Sequence, residues 1–564
     1  MKPVLSSAQI REIDRLTTER GGIPSLQLME NAGAAVARLV IDSASGEVDG
    51  RTVLVLCGKG NNGGDGAAVA RLLAIAGARV DVILLGKLED TKGDARTNFE
   101  RLRTWNEEIA RRENQPAAAS SLTPIRFFEC DSEPGWEQLL STILNAAHEF
   151  VVDALFGTGL TRPVEGIHRI AVRYLARMRA TRQAAPQSPR IISIDIPSGL
   201  DADSGDLKAE AVQADATVTM TAPKLGNVMP PAAVYNGRLL VADIGSPAEL
   251  IRDAKPTLLV TEQEDARQWL GQTVYEPESY KNSHGHALII AGSRGFTGAA
   301  ALCGNAAMRS GAGLVTVATP ASAQPLVATQ VMPEVMTTSL AETDRGAVSD
   351  EAIDYALRFA ERADVVAIGP GLSAEDDRTR TFVRAIVDQR KTPVVIDADG
   401  LNCLSPWPQN LRGSAEFPIV LTPHPGEMKR LLGMDKELAI NDRVATAREF
   451  AMAHQVIVVL KGVRAIIAEP EGLVVINPTG NAGLGTAGAG DTLTGIITGF
   501  LAQAFAARKM SSYALRTVIA ALYISGLAGD LAARKLGMRT MVASDIRAHL
   551  SEAIRSIDPV GETP

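Results

Sequence analysis

Late in the chain, Gly488-Ala489-Gly490-Asp491 sets three small residues and a carboxylate ahead of an apolar helical stripe of Leu493, Ile496, Ile497 and Phe500. Small residues leave successive backbone N–H groups free to form an anion nest, and a helix start adds its dipole. That combination suits phosphate with an acid or base beside it; Asp491 is equally compatible with a plain helix cap. Four more polar loops each follow an apolar strand pattern. They are Ile368-Gly369-Pro370-Gly371-Leu372, Asp397-Ala398-Asp399-Gly400-Leu401-Asn402, Thr422-Pro423-His424-Pro425-Gly426-Glu427 and Lys461-Gly462-Val463-Arg464-Ala465. Loops at the carboxyl ends of buried strands line one sheet edge, where open α/β sheets bind ligands. A lone histidine such as His424 is commonly structural, but a proline-flanked loop is a costly place for one.

The first half has its own set. Gly60-Asn61-Asn62-Gly63-Gly64-Asp65-Gly66 lies between an apolar strand ending at Cys57 and a helix predicted to begin near Ala67. The glycines permit close backbone approach to a ligand, although a tight turn would use them too. The spacing is not the dinucleotide G-x-G-x-x-G, which weighs against a classical dehydrogenase. Val152-Asp153-Ala154-Leu155-Phe156-Gly157-Thr158-Gly159-Leu160 and Ile194-Asp195-Ile196-Pro197-Ser198-Gly199-Leu200-Asp201 each put a carboxylate at the end of a buried strand. Either aspartate alone fits a cap or turn; three polar loops converging on one edge fit a site.

The elements that must position these residues are strands alternating with helices. Thr52–Cys57, Val80–Leu85, Glu149–Asp153, Arg190–Asp195 and Thr217–Met220 read as strands of a first parallel sheet. His286–Ala291, Asp364–Ile368, Pro393–Asp397, Ile419–Leu421 and Val456–Leu460 read as strands of a second. A small-residue helix starts from Ala299. The polar stretches 111–121 and 181–189 read as surface loops. With 564 residues the chain exceeds the roughly 250–300 that one core supports. A boundary falls between Gly245 and Thr257, giving domains 1–245 and 256–564. A net charge of −8 weighs against nucleic acid or an anionic membrane as partner. Cys57, Cys130, Cys303 and Cys403 form no C-x-x-C pair and no disulfide-type spacing, which points to a reducing, cytoplasmic compartment. The apolar stretch Val518–Leu527 is read as too short to span a bilayer.

Residues 1–245, through Asn61-Asn62-Gly63-Gly64-Asp65-Gly66, Asp153-Ala154-Leu155-Phe156-Gly157-Thr158-Gly159 and Asp195-Ile196-Pro197-Ser198-Gly199, resemble the NAD(P)H-hydrate epimerase family. The resemblance implies a Rossmann-like three-layer domain that interconverts the R and S forms of hydrated NADH and NADPH and uses a potassium ion. By matching position it implies potassium at Asn62, Asp153 and Ser198. It implies substrate at Asn61, Asn62, Gly63, Gly64 and Asp65, at Gly157, Thr158, Gly159, Leu160, Thr161, Arg162 and Pro163, and at Asp195. Asp195 is the acid–base candidate, since epimerisation requires proton transfer in the ring system. Lys224 is a second polar participant or else a solvated lysine.

Residues 270–555 resemble the ribokinase-like superfamily of α/β domains. Within it, Lys281-Asn282-Ser283-His284-Gly285-His286, Ser293-Arg294-Gly295-Phe296-Thr297-Gly298-Ala299 and His424-Pro425-Gly426-Glu427 are similar to the ADP-dependent NAD(P)H-hydrate dehydratase family. The resemblance implies that a nucleotide, with magnesium, drives loss of water from the S hydrate. It implies substrate contacts at Ala299, Gly371, His424 and Asp491, and adenine-nucleotide contacts at Lys461, Gly462, Val463, Arg464, Ala465 and Gly490. Asp491 would take the proton of a substrate hydroxyl that then attacks the terminal phosphate. The family often has a hydroxyl residue where this chain has Ala465. ADP and ATP both remain open, and the small-residue run Ala299–Ala307 raises the expectation of a homo-oligomer. Two other readings use the same loops: a small-molecule kinase fused to a ligand-binding domain, and a non-catalytic nucleotide-binding or protein-binding module. The pairing of the two halves favours repair over the first, and the presence of both Asp195 and Asp491 favours it over the second.

Overall fold

Val53, Leu54, Val55 and Leu56 are successive residues of one strand, and all four are buried. Alternating side chains point to opposite sheet faces, so such a run requires helices on both. Val53, Val55 and Cys57 pack with the helices Ser25–Ser43, Asn61–Ile75 and Gly93–Glu113, and Leu54 and Leu56 with Glu133–Leu139 and Gly166–Thr181. This computed structural model describes residues 1–113, 123–160, 162–181, 188–207, 210–435, 437–506 and 513–558. It comprises two units, residues 3–256 and residues 257–564 together with Met1 and Lys2. The stretch 246–256, with its short helix Ala248–Asp253, goes with the first unit.

In chain order the strands are β1 (Lys2–Pro3), β2 (Thr52–Cys57), β3 (Arg79–Leu85), β4 (Ile125–Cys130), β5 (Phe150–Ala154), β6 (Arg190–Ile194), β7 (Ala216–Met220), β8 (Arg238–Ala242) and β9 (Leu258–Val260). They continue with β10 (His286–Ile290), β11 (Leu314–Pro320), β12 (Met336–Leu340), β13 (Val365–Ile368), β14 (Val394–Ile396), β15 (Ile419–Leu421), β16 (Ile457–Leu460), β17 (Ile466–Ala468) and β18 (Val474–Ile476). The first unit's sheet runs β4-β3-β2-β5-β6-β7-β8, parallel throughout. Strand order reverses between β2 and β5, opening a crevice at their carboxyl ends.

The second unit's sheet runs β1-β9-β18-β17-β16-β15-β14-β13-β10-β11-β12. It is parallel from β16 to β12, and β17 is antiparallel to β16 and β18. Here order reverses between β10 and β13. Both units are therefore mixed α/β folds of the expected Rossmann-like and ribokinase-like type.

Three expectations need correction. The helix after β2 begins at Asn61, not near Ala67. Three glycines in a helix cost about 0.5–1 kcal/mol each in propensity, but packing decides here. A Cβ on Gly63 would lie 1.8 Å from the Gly58 carbonyl oxygen, and one on Gly66 2.6 Å from the Ala154 Cβ. Next, Val518–Leu527 belongs to a 23-residue helix, Ala514–Leu536, which is long and apolar enough to span a membrane, yet 67% of its apolar window is buried. Finally, most small residues of the helix Thr297–Arg309 pack inside their own unit. Ala300, Cys303, Ala306 and Ala307 are fully buried within their own unit against the helix Ala489–Ala506. Of the two polar stretches, residues 114–121 and 182–187 lie outside the described residues; residues 111–113 and 181 end helices.

Gly495 lies in that helix contact, and a Cβ there would sit 2.2 Å from the Cys303 carbonyl oxygen. Gly495→Ala is expected to destabilise the second unit by about 1–3 kcal/mol through overpacking, read as a lower midpoint in denaturant unfolding.

Candidate active sites

In the first unit, β6 and the adjacent β7 both end in γ-turns. Ile196 N–H donates to the Ile194 carbonyl at 2.8 Å with Asp195 at φ 67°, and Ala222 N–H donates to the Met220 carbonyl at 2.7 Å with Thr221 at φ 64°. This turn is rare and strained. It folds Asp195 and the segment up to Lys224 back over the sheet edge. Lys224 is fully buried, which excludes the solvated alternative. Its ammonium spends all three protons: on Asp195 Oδ1 at 2.6 Å, Thr219 Oγ1 at 2.9 Å and the Met220 carbonyl at 3.1 Å. Thr219 Oγ1 also donates to Asp195 Oδ1 at 3.1 Å, and Asn227 Nδ2 to the Asp195 carbonyl at 3.2 Å.

Across the β2–β5 crevice, Gly157 is the meeting point. A Cβ there would lie 3.1 Å from Asn62 Oδ1 and 3.3 Å from Asp195 Oδ2, so glycine leaves the two motifs room to converge. Asn61 is exposed, while Gly63 and Gly64 are buried in packing. Burial pushes the Asp65 carboxyl well above its ordinary range, and Asp195 and Asp14 add to this. Asp153 is fully buried. It accepts from Ser198 Oγ at 2.6 Å, Ser198 N–H at 2.9 Å, Ser193 Oγ at 2.9 Å and Leu155 N–H at 3.4 Å. Burial raises its carboxyl in spite of these donors, and no basic side chain pairs with it among the described residues. Leu160 N–H bonds the Gly157 carbonyl at 3.4 Å. Thr158, Gly159, Arg162 and Pro163 make no hydrogen bond to the cluster among the described residues, and Thr161 lies outside them.

The second unit repeats the theme around β10 and β13. Gly371, at φ 66°, presses on the start of the helix Thr297–Arg309; a Cβ there would meet the Ala299 Cβ at 3.0 Å and the Phe296 carbonyl oxygen at 2.9 Å. Gly488, at φ 82°, opens the helix Ala489–Ala506, with Gly490 and Asp491 in its first turn. A Cβ on Gly490 would lie 3.3 Å from the Lys461 ammonium and 3.7 Å from Asp397 Oδ2. Asp397 is buried at the end of β14, bonded to Lys461 Nζ at 2.7 Å and Thr494 Oγ1 at 2.8 Å. Burial opposes its charge, but Lys461 together with the Thr494 and Thr422 hydroxyls outweighs burial and holds the carboxyl below its usual range. Conversely, burial works against the Lys461 ammonium, and Asp397 and Glu427 more than restore it. Asp491 receives less relief: burial, with Asp397 adding, outweighs the opposing effect of Lys461 and pushes its carboxyl up to about 6.

His424 caps the helix Pro425–Leu431. Its Nδ1 accepts from Gly426 N–H at 2.9 Å and Glu427 N–H at 3.3 Å, which requires the neutral ring. Burial lowers its pKa accordingly. Half of the side chain stays exposed, with Nε2 3.5 Å from Glu427 Oε1. The 461–465 loop is the β16–β17 hairpin, held by Arg443, whose Nη1 donates to the Val463 carbonyl at 2.9 Å. Arg464 donates to the Pro478 carbonyl at 2.6 Å, Val463 is exposed, and Ala465 packs against the core.

Sequence reasoning had not assigned roles to Asp14, Thr219, Asn227, Asp397, Glu427, Thr494 or Arg443. Asp397 and Glu427 stood inside quoted loops, and Thr494 lies one turn after Asp491 on the same helix face. The rest carried no local signal.

Fold and sites together define an α/β protein of two nucleotide-type units, each with aspartates at the carboxyl edge of its sheet. Residues 25–226 match the family described as YjeF-related protein N-terminus, and residues 287–552 the family described as NAD(P)H-hydrate dehydratase. The bifunctional NAD(P)H-hydrate repair enzyme Nnr of Moorella thermoacetica is 39% identical, over 99% of this chain and 98% of its own length. That of Escherichia coli is 32% identical, over 97% and 92%. A solved ADP/ATP-dependent NAD(P)H-hydrate dehydratase from Bacillus subtilis, co-crystallised with ATP and Mg2+, is 30% identical, covers 53% of this chain and 99% of its own, and superposes with a TM-score of 0.45. The chain belongs to the family of bifunctional NAD(P)H-hydrate repair enzymes.

Truncating Lys461 leaves Asp397 a buried, unpaired charge. Lys461→Met is expected to destabilise the second unit by about 3–5 kcal/mol at neutral pH, measured by denaturant unfolding. Much of that loss should return in Lys461→Met/Asp397→Asn.

Proposed function

We propose that this chain repairs hydrated NADH and NADPH, the first unit interconverting the R and S hydrates and the second dehydrating the S hydrate at the expense of an adenine nucleotide. The observation that carries this reading is Asp491. It is a half-buried carboxyl with raised basicity, in the first turn of a helix that opens on Gly488 and Gly490, beside the Lys461–Asp397 pair. Family membership supports it, and the two activities are complementary: a stereospecific dehydratase uses both hydrate forms only with an epimerase at hand.

In the second site Asp491 accepts the proton of the substrate hydroxyl. The freed oxygen attacks the terminal phosphorus and displaces the shortened nucleotide; phosphate then leaves the ring carbon that bore the hydroxyl, and loss of a proton from the adjacent ring carbon completes the double bond of the reduced nicotinamide. The backbone N–H groups of Gly488 and Gly490 would face the charge that develops on the transferring phosphoryl group, while that of Ala489 is held by the Thr486 carbonyl at 3.3 Å. Ala299, Gly371 and His424 shape the hydrated dinucleotide's seat, with neutral His424 able to donate from Nε2. Lys461 to Ala465 and Gly490 take the nucleotide, Lys461 as a fixed positive charge and Gly462 to Ala465 through backbone. The packed methyl of Ala465 removes one side-chain hydrogen bond, worth about 0.5–1.5 kcal/mol. Among the described residues no three His, Cys, Asp or Glu side chains cluster as a metal cage. That fits magnesium carried mainly by nucleotide phosphates and water, where it would neutralise phosphate charge.

In the first site Asp195 is the base and Lys224 holds it in place. Asn62, Asp153 and Ser198 present amide, carboxylate and hydroxyl oxygens, a donor set suited to a hard cation. Asp153, buried with no basic side chain paired to it among the described residues, fits a potassium ion there, which would balance its charge. Asn61 to Asp65 and Gly157 to Pro163 flank the substrate.

Mixed R and S hydrates of NADH, supplied with ADP or ATP, should regain absorbance at the reduced-nicotinamide band; no recovery with either nucleotide rejects the reading. Asp491→Asn should slow dehydration by about a hundred- to ten-thousand-fold and leave epimerisation unchanged, while Asp195→Asn should do the reverse. A carboxyl pushed up to about 6 acts as base only above that pH. Dehydration kcat/KM should therefore be level at neutral pH and fall roughly tenfold per pH unit below about 6. A profile flat down to pH 5 would remove Asp491 as the base.

A further inference from the structure

The helix Ser7–Glu19 precedes every motif of the first unit, yet it packs onto the Lys224 segment. Leu5 N–H donates to the Pro223 carbonyl at 3.0 Å, and Leu5, Ile10 and Ile13 share a small core with Ala222. Ser7 N–H, at the helix start, bonds Asp203 at 2.7 Å, pinning that end to the loop after Asp195. This arrangement buries Asp14 Oδ1, which has no hydrogen-bond partner. A buried, unsatisfied carboxylate oxygen costs several times an ordinary lost hydrogen bond, so its retention needs a reason.

The reason lies in its neighbours. The groups whose charges act on Asp14 are Lys224, which favours its ionised form, and Asp195, which opposes it; Asp14 in turn helps to raise the Asp65 carboxyl. Burial comes first and pushes the Asp14 carboxyl up to about 6, so it is anionic at neutral pH. Lys224 has no proton left for it, since all three are committed to Asp195, Thr219 and Met220. A carboxylate that is close to the ion pair, but bonded to neither member, acts on it through space.

We propose that Asp14 is a positioning residue of the first site, a negative charge behind the Lys224–Asp195 pair that holds the Lys224 ammonium in place against Asp195. This rests on the epimerase reading of that site. Asp14 touches no substrate in this role; it acts through the pair.

The test uses the full-length chain without nucleotide, so that dehydration is silent, and follows the R to S ratio of hydrated NADH by chromatography across pH. Removing the charge with Asp14→Asn leaves Asp195 one like charge fewer and Lys224 one counter-charge fewer. Both limbs of the epimerisation profile should then move to lower pH by about half a pH unit or more, and Asp14→Glu should restore them. A merely structural role would lower the whole curve without moving its limbs, and that result overturns the proposal. If Asp14→Asn loses its melting transition, Asp14→Ser carries the same comparison. A wild-type chain that does not interconvert the hydrates rejects the epimerase reading before any variant is compared, and this inference falls with it.

Discussion

In each unit, one largely buried lysine is paired with an aspartate just past the carboxyl end of a parallel strand, Lys224 with Asp195 and Lys461 with Asp397. Taking both charges out of water costs several kcal/mol per ion, and the pair recovers it only with close geometry and further hydrogen bonds. Thr219 and the Met220 carbonyl supply these in the first unit, and Thr494 in the second. The remaining site groups are arranged around these two fixed charges.

The two units use the same pair differently. In the first, the paired aspartate is itself the proposed base, bonded to Lys224 and Thr219 through the same Oδ1. In the second, Lys461 satisfies Asp397, and Asp491 is left outside the pair as a carboxyl that burial has made more basic. One device thus leaves a tethered carboxylate in one site and an untethered one in the other. The glycines complete the arrangement by absence: Gly157 and Gly490 leave side-chain space between groups that must converge. Gly63, Gly66 and Gly371 let backbones approach closely enough to form the crevices at all.

Much of this was legible beforehand because the chemistry sits in contiguous motifs. A strand, a loop of small and polar residues and a following helix are local, so Asp153, Asp195, Gly371 and Asp491 could be placed at sheet edges from spacing alone. Helix limits were less legible. Asn61–Gly66 reads as a loop by propensity, and only the contacts of Gly63 and Gly66 make it helical. The apolar run at Val518 looked short because Ser525 and Gly526 interrupt it, although both are accommodated within one long core helix. The alanine-rich helix after Thr297 carries the same small residues whether its partner is another subunit or its own neighbour.

The sequence by itself determined the two-domain α/β plan, the motifs at the strand ends and the family, since each is written in residues near one another in the chain. Only folding settles that Lys224 is buried, that Asp397 and not Asp491 bonds Lys461, that His424 is a neutral cap, and that Asp14 Oδ1 is buried without a hydrogen-bond partner. Those facts depend on desolvation and on charges brought together from distant segments, and neither quantity exists until the chain has folded.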